Sequence, residues 1–128
     1  MAQSQNSRVD YTAKATSFLG LTSTGNVMIG NRAFEFYNER NPEDFIQIPW
    51  DDIDHVAASV MFGNKIPRFA IITKESGTYS FSTRDNKATL RAMRAYVPEE
   101  HLVRSPNFFE VIRAGIGSLF TKVFHRNH

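Results

Sequence analysis

The sequence predicts a mainly β domain of the α+β class, in which seven strands are followed by one helix. Three runs rich in β-branched and aromatic residues, at positions 45–50, 53–62 and 66–73, are separated by short polar or glycine-bearing breaks. Further strand-like runs lie at 9–19, 26–29, 33–37 and 78–82. After residue 82 the spacing of apolar residues changes from the period of a strand to that of a helix, which ends before Pro98.

The composition is that of one globular domain. The chain has 128 residues, and its hydrophobic fraction of 41% argues against wholesale disorder. The 11 phenylalanines predict either a phenylalanine-rich core or an exposed aromatic face. The absence of cysteine excludes disulfides and Cys-based metal sites and fits a cytoplasmic location. The polar N-terminus and the lack of long apolar runs lead us to expect neither a secretory signal nor a membrane span.

The N-terminal part of the chain is predicted to begin flexibly and to continue as short antiparallel strands. Residues 1–7 are polar and predict a flexible start. Gly20, Gly25 and Gly30 are equally spaced, but a strand pattern follows them, whereas a phosphate-binding loop needs a helix there. We therefore expect these glycines to supply hairpin turns with positive φ.

Residues 45–73 are predicted to form the middle of the sheet. The run 66–73 is apolar on both faces, which predicts a strand that is covered on both sides, with Pro67 at its start or edge. Trp50 is interpreted as a core anchor. In the run 53–62 the even positions are expected to line the core, namely Val56, Ala58, Val60 and Phe62.

The helix completes the predicted fold. Its N-cap is expected from a hydroxyl in the segment 82–85, and its apolar positions are Ala88, Leu90, Ala92, Met93, Tyr96 and Val97. Seven strands and one helix suit a barrel of the pleckstrin-homology or GRAM type over residues 8–98, in which two nearly orthogonal sheets are closed at one end by the helix. A lipocalin-like barrel, with an eighth strand instead of the helix, is the alternative.

The segment 105–126 predicts a second, amphipathic and basic helix. Of the 15 Lys and Arg residues 4 lie in 101–128, against 1 of the 13 acidic residues. Gly115 and Gly117 weaken the helix, so it needs a surface to lie on. That surface is a membrane or membrane-embedded partner, the protein's own barrel, or a second copy in a homodimer. The predicted contact residues are Phe108, Phe109, Ile112, Arg113, Ile116, Leu119, Phe120, Lys122, Val123, Phe124 and Arg126.

Other polar clusters are interpreted as structural. Asp51, Asp52 and Asp54 open a strand, where acids mark a turn, and they lack the convergent loop that a divalent cation needs. The histidines, at positions 55, 101, 125 and 128, are scattered and predict no metal site. The cations at positions 65, 68 and 74 could form a phosphate-binding mouth or be solvated charges.

The sequence contains no catalytic motif. Nucleophile elbow, metalloprotease, phosphate-loop and paired-acid patterns are all missing, so we expect a protein that is not an enzyme and uses no cofactor or metal. No helix-turn-helix pattern or basic recognition helix predicts nucleic-acid binding.

Six motifs in order carry a resemblance to a known family. They are TSFLGLTS at 16–23, GNVMIG at 25–30, AFEFYN at 33–38, IQIPW at 46–50, ASVMF at 58–62 and IPRFAI at 66–71. Together they resemble the ManO family, whose members are encoded in Gram-positive bacteria beside the mannose-family permease of the sugar phosphotransferase system. The resemblance covers roughly residues 8–124.

The resemblance implies a cytoplasmic accessory or regulatory protein that contacts the membrane subunits of such a permease, with no assigned catalytic residue. Two other functions stay open. The protein could be a lipid- or phosphate-binding module that uses barrel loops and the basic tail. It could also accept a phosphoryl group, for which His55 is the candidate within the folded body.

Overall fold

Eight strands of one sheet and one helix make up the fold in a computed structural model, which describes residues 3–19, 21–61 and 65–105. The strands are β1 (Val9–Ser17), β2 (Ser23–Gly30), β3 (Ala33–Asn38), β4 (Phe45–Pro49), β5 (Ile53–Ser59), β6 (Phe69–Thr73), β7 (Thr78–Thr83) and β8 (Leu102–Ser105). Helix α1 (Asn86–Met93) follows β7, and two short 3₁₀ turns precede β5 and β8. The predicted tail helix lies outside the described residues except for Ser105, which ends β8.

The sheet has the strand order β4-β3-β2-β1-β7-β6-β5-β8 and is open, because no pairing joins β4 to β8 among the described residues. Neighbouring strands are antiparallel except β5 and β8, which are parallel. The seven predicted strands are all present. We expected a barrel of two orthogonal sheets, but the strands form one open sheet that has an eighth strand. This strand was not predicted, because Leu102 and Val103 are too short an apolar run to indicate one.

The sheet curls around a core of phenylalanine rings. Phe34 of β3 and Phe69 of β6 lie four strand positions apart in the sheet, yet their ring centroids are 6.2 Å apart in an edge-on arrangement. Phe81 of β7 fills the space between them, with its centroid 5.0 Å from that of Phe34 and 5.7 Å from that of Phe36. All four rings are buried. The phenylalanines therefore supply a close-packed core.

Strand β6 buries both faces as predicted, whereas β5 is shorter than expected. Every residue of β6 is buried, and Pro67 lies just before the strand. β5 ends at Ser59, after which Val60 is half-buried and Met61 is 53% exposed. Val56 and Ala58 line the core as predicted, whereas Phe62 lies outside the described residues.

Two of the glycines expected in turns lie inside a strand. Gly25 and Gly30 belong to β2, and among the described residues only Gly77, in the β6–β7 turn, is a glycine with positive φ, at 91°. A Cβ at Gly25 would lie 2.0 Å from the Tyr37 carbonyl oxygen. A Cβ at Gly30 would lie 2.3 Å from the Arg8 carbonyl oxygen. Both positions thus require glycine because a neighbouring backbone segment of the same chain approaches closely, and the spacing of glycines alone could not distinguish this from a turn. Gly20 is outside the described residues.

Residues 4–6 are held in place by hydrogen bonds, which corrects the flexible start expected for this part of the chain. The Glu35 side chain is fully buried in β3, and its carboxylate accepts hydrogen bonds from Ser4 Oγ (2.5 Å), Gln5 N (2.7 Å) and Asn6 Nδ2 (3.1 Å). A buried carboxylate without such donors would be costly. The position of Glu35 among the apolar residues of β3 indicates that another segment must supply hydrogen-bond donors to its carboxylate, and residues 4–6 do so.

Helix α1 packs on the central strands β1 and β7 through a buried polar cluster. Its N-cap is the Asp85 carboxylate, which accepts from Ala88 N, and not the hydroxyl expected from the sequence. Thr89 Oγ1 contacts the hydroxyls of Tyr11 (3.0 Å) and Thr83 (2.7 Å) and donates to the Asp85 carbonyl. Asn86 Nδ2 donates to the Ile66 carbonyl at 2.7 Å.

The segment after α1 covers the remaining end of the core. Met93 and Val97 are buried, as the helical pattern predicts. Trp50 is half-buried, stacks on Tyr96 with a centroid distance of 4.9 Å, and donates from its indole nitrogen to the Gly30 carbonyl at 2.9 Å. Trp50 therefore acts as an anchor, as predicted, by joining the β4–β5 turn to the segment that follows the helix.

Candidate functional site

A recess between α1 and the β5–β8 edge is the candidate site, and we call it the basic groove. Its volume is about 390 Å³, within the roughly 300–1,000 Å³ that is typical of ligand sites. The apolar part of its lining consists of Val56, Ala58, Val60, Ile66, Leu90, Leu102 and Val103. The charged part consists of Lys87, Arg91, Arg94 and Arg104, all exposed.

The helix supplies three of the cations on one face. Lys87 and Arg91 of α1 and Arg94, its C-cap, are spaced by four and then three residues, which places them on the same side of the helix. Leu90 lies between them and is half-buried against the core. This face of the helix therefore presents an apolar contact flanked by positive charge.

The sheet supplies the opposite wall. Val56 is paired with Leu102 and Ala58 with Arg104 in the parallel register of β5 and β8, so the four side chains lie on one face of the sheet. Arg104 therefore brings a fourth cation to the strand side of the groove. The charges of the groove thus come from both of its walls.

The four cations are not neutralised within the described part of the chain. Ion pairs in this part join Arg8 to Asp10, Lys14 to Glu39, and the His55 ring to Asp54. None joins a carboxylate to a groove cation in residues 3–19, 21–61 and 65–105. Like charges on adjacent helical turns repel each other, so an anionic group in the groove would relieve that repulsion.

The groove reaches the edge of the sheet. β8 is the last strand in the order, and within the described residues its outer side pairs with no other strand. Leu102, Val103 and Arg104 all line the groove. Successive side chains of a strand point to opposite faces, so a recess that is lined by three consecutive residues extends along the strand edge as well as over one face.

The predicted contact residues of the tail lie outside the described part of the chain, and two cations of the predicted phosphate-binding mouth lie far apart. The residues at 108–126 that were predicted to contact a partner or membrane all lie outside the described part. Arg68 and Lys74 lie at opposite ends of β6, and at roughly 3.3 Å per residue they are about 20 Å apart, too far for one phosphate mouth. The Arg68 guanidinium lies 4.6 Å from the centroid of the Phe18 ring.

The acidic and histidine residues are placed at the start of β5. Asp52 accepts a hydrogen bond from Ser76 Oγ at 3.0 Å, and Asp54 contacts His55 Nδ1 at 2.8 Å. The His55 and His101 rings, which are distant in sequence, have centroids 5.0 Å apart. Within the described residues, no three His, Asp or Glu side chains are grouped so that they could hold a metal ion.

The basic groove was missed at the level of sequence, although a signal for it was present. The helix was predicted from its apolar positions alone. Lys87, Arg91 and Arg94 repeat at the same helical spacing on its outer face, and this repeat indicates a basic surface. The opposite wall depends on the parallel pairing of β8 with β5, a long-range contact that no local pattern in residues 102–105 predicts.

A family model described as "Domain of unknown function (DUF956)" matches residues 1–116 of the chain. The chain belongs to the DUF956 family. No curated protein matches this DUF956 chain. In the described part of the DUF956 chain, no helix combines the length and hydrophobicity needed to cross a membrane.

Solved structures identify the fold. The DUF956 chain is similar to the C-terminal domain of an unknown protein from Leishmania infantum, with a TM-score of 0.61 and 11% identity over 69% of this chain and 82% of that chain. It is also similar to the Vps36 N-terminal PH domain, with a TM-score of 0.51 and 14% identity over 70% of this chain and 76% of that chain. The predicted pleckstrin-homology-like fold is confirmed, and at these identities the likeness concerns the fold alone.

Proposed function

We propose that this DUF956 protein is a non-catalytic accessory or regulatory protein of a mannose- or glucose-family sugar phosphotransferase permease. It acts by protein–protein contact with a membrane subunit of the permease at the cytoplasmic face of the membrane. The identity of the partner is supported by the resemblance of the six motifs between residues 16 and 71 to the ManO family.

The observation that carries a binding function is the basic groove. Its described lining combines apolar side chains with four cations and includes no carboxylate, histidine, hydroxyl or thiol group. Such a surface can hold an anionic, partly apolar ligand, but it offers neither a paired acid and base nor an activated nucleophile. Contact with another molecule is therefore the activity that this geometry favours.

The segment after β8 provides the second proposed contact. The chain leaves β8 at Ser105, next to Arg104 on the wall of the groove, and continues into the predicted amphipathic segment 105–126. In this proposal the groove and the segment together form one surface toward the permease. The aromatic residues of the segment face membrane-embedded parts of the partner, and its cations face anionic lipid or acidic side chains.

Affinity capture tests the proposal. The full chain and a version that ends at Pro106 are each captured from detergent-solubilised membranes that contain a mannose-type permease, and from membranes that lack it. Retention of permease subunits by the full chain is the expected result. If the shorter version also retains them, the groove is sufficient for contact. If the full chain retains none at low and physiological salt, the proposed function is wrong.

A second candidate function is a lipid- or phosphate-binding module, which the four groove cations favour. Phosphate groups would pair with Arg91, Arg94 or Arg104 through charge-assisted hydrogen bonds. The test is co-sedimentation with vesicles that contain phosphatidylglycerol, at low and high salt. Binding that disappears at high salt and needs no permease would favour this candidate, whereas absence of vesicle binding at low salt would exclude binding to anionic lipid.

A further inference from the structure

We propose that the basic groove binds an extended acidic peptide segment of a partner protein, which adds as a ninth strand to the outer edge of β8. The inference rests on the proposed function in one respect, since it describes the chemistry of the partner segment. Its own basis is the charge of the groove and the position of β8 at the end of the sheet.

The charge of the groove defines the first property of the peptide. Lys87, Arg91 and Arg94 line the helix side and Arg104 lines the strand side, with no carboxylate partner in residues 3–19, 21–61 or 65–105. A segment between the two walls is therefore flanked by positive charge on both sides. Carboxylates on the segment would form charge-assisted hydrogen bonds with the guanidinium groups, whose planar donors match a carboxylate.

The strand edge and the apolar lining define the second property. Within residues 3–19, 21–61 and 65–105 no strand pairs with the outer side of β8, and an added strand would use its backbone groups for main-chain hydrogen bonds, as in strand-addition complexes. A strand alternates its side chains, so every second residue would face Leu90, Ile66 and Leu102. The cations lie on that same face, so the expected ligand carries both its apolar residues and its Asp or Glu residues at every second position, over about four residues, the length of β8.

This pattern favours a peptide over a lipid headgroup. A headgroup needs cations that converge on one phosphate, whereas the groove cations are spread over two turns of α1 and the facing strand. The edge of β8 would also remain unpaired beside a headgroup. An extended acidic peptide satisfies the dispersed charges and the strand edge together.

The test uses an array of synthetic hexapeptides in which every second residue is Asp, Glu or an apolar residue and the positions between them are Ser. A matched array carries Lys or Arg at the acidic positions, and a third carries the acidic sequences with alternate amides N-methylated. The probe is the labelled full chain. We expect the acidic array to retain it at least tenfold more than the basic array, and N-methylation to reduce that retention at least tenfold, because a methylated amide cannot donate to β8.

Variants of the chain identify the surface. Arg91→Glu is expected to reduce retention on the acidic array at least tenfold, while Arg40→Glu, an exposed cation of the β3–β4 loop outside the groove, leaves it unchanged. Arg94→Glu provides a second groove variant if the first does not fold, as judged by circular dichroism.

Equal retention on the acidic and basic arrays, or retention that is insensitive to both groove variants, would overturn the proposal. Preferential binding to phosphatidylglycerol vesicles that the same variants abolish would assign the groove to lipid and overturn it as well. Because the arrays contain no permease, their result is independent of the capture experiment. Failure of the peptide proposal is therefore distinguishable from failure of the proposed function.

Discussion

Asn6 and Ala33 exchange hydrogen bonds in both directions, as two residues of paired strands do. Asn6 Oδ1 accepts from Ala33 N at 2.8 Å, and Asn6 Nδ2 donates to the Ala33 carbonyl at 3.1 Å. The same side chain also accepts from Arg32 N and donates to the buried Glu35. The Asn6 amide thus pairs with backbone groups of the turn between β2 and β3 and with the buried Glu35 carboxyl group, which makes the segment around Asn6 part of the fold.

Replacing Asn6 tests that statement. Asn6→Ala is expected to lower the free energy of unfolding by about 1–3 kcal/mol, because it removes hydrogen bonds to the turn and one donor to a buried carboxylate. Urea denaturation measures the change. Gln5→Ala is the control, since the Gln5 side chain makes an exposed contact with Gln47 and its backbone nitrogen still donates to Glu35. Equal stability of the two variants would contradict the assigned role of Asn6.

The glycine positions give a second prediction. Gly25→Ala would place a methyl group 2.0 Å from the Tyr37 carbonyl oxygen, and the β2–β3 pair must shift to admit it. Gly77→Ala has open space around it and only the cost of positive φ, about 1–2 kcal/mol. We expect Gly25→Ala to unfold at the lower urea concentration. If Gly77→Ala unfolded at the lower urea concentration, the short distance to the Tyr37 carbonyl oxygen would not be the reason that β2 contains Gly25.

The polar cluster under α1 gives a third prediction. Thr89→Val keeps the shape of the side chain but removes the hydroxyl that contacts Tyr11 and Thr83, and it is expected to cost about 1–3 kcal/mol of unfolding free energy. Thr78→Val, at an exposed position of β7, is the matched control and should change stability by less than about 0.5 kcal/mol. A thermal unfolding midpoint for Thr89→Val at or above that of the control would contradict this account of the helix contact.

A fourth prediction concerns the effect of pH on the contact between Asp10, Arg8 and Tyr96. The hydrogen bond from Arg8, followed by that from Tyr96, holds the pKa of the Asp10 carboxyl below its ordinary value of 3.8. Because the folded-state pKa is lowered, the stabilising contribution is present above the unfolded-state pKa and is lost as the pH falls through the folded-state pKa. NMR titration of the Asp10 carboxyl carbon should show the lowered pKa, and Arg8→Ala should raise it toward 3.8. An unchanged pKa in that variant would show that Arg8 is not the cause.

Local patterns in the sequence predicted the seven strands and the helix because their apolar periods are clear. They did not predict β8, whose four residues gain their strand conformation from pairing with β5 across more than forty positions of the chain. Asn6 and Glu35 were missed for a related reason, since each is polar and its role depends on the other. The basic groove was missed because its two walls, α1 and the β5–β8 pair, are distant in sequence. Local patterns do not show that they come together.

Site-specific photocrosslinking in cells that express a mannose-type permease tests the central claim most directly. Val60→p-benzoylphenylalanine places the crosslinker on the apolar lining of the groove without removing a cation, and Leu21→p-benzoylphenylalanine places it at a position that is 92% exposed and outside the groove. The account predicts a crosslink between the Val60 variant and a permease subunit, weakened by Arg91→Glu and absent at position 21. Crosslinks to no permease subunit from the groove, with the full-length protein folded and present, would contradict it.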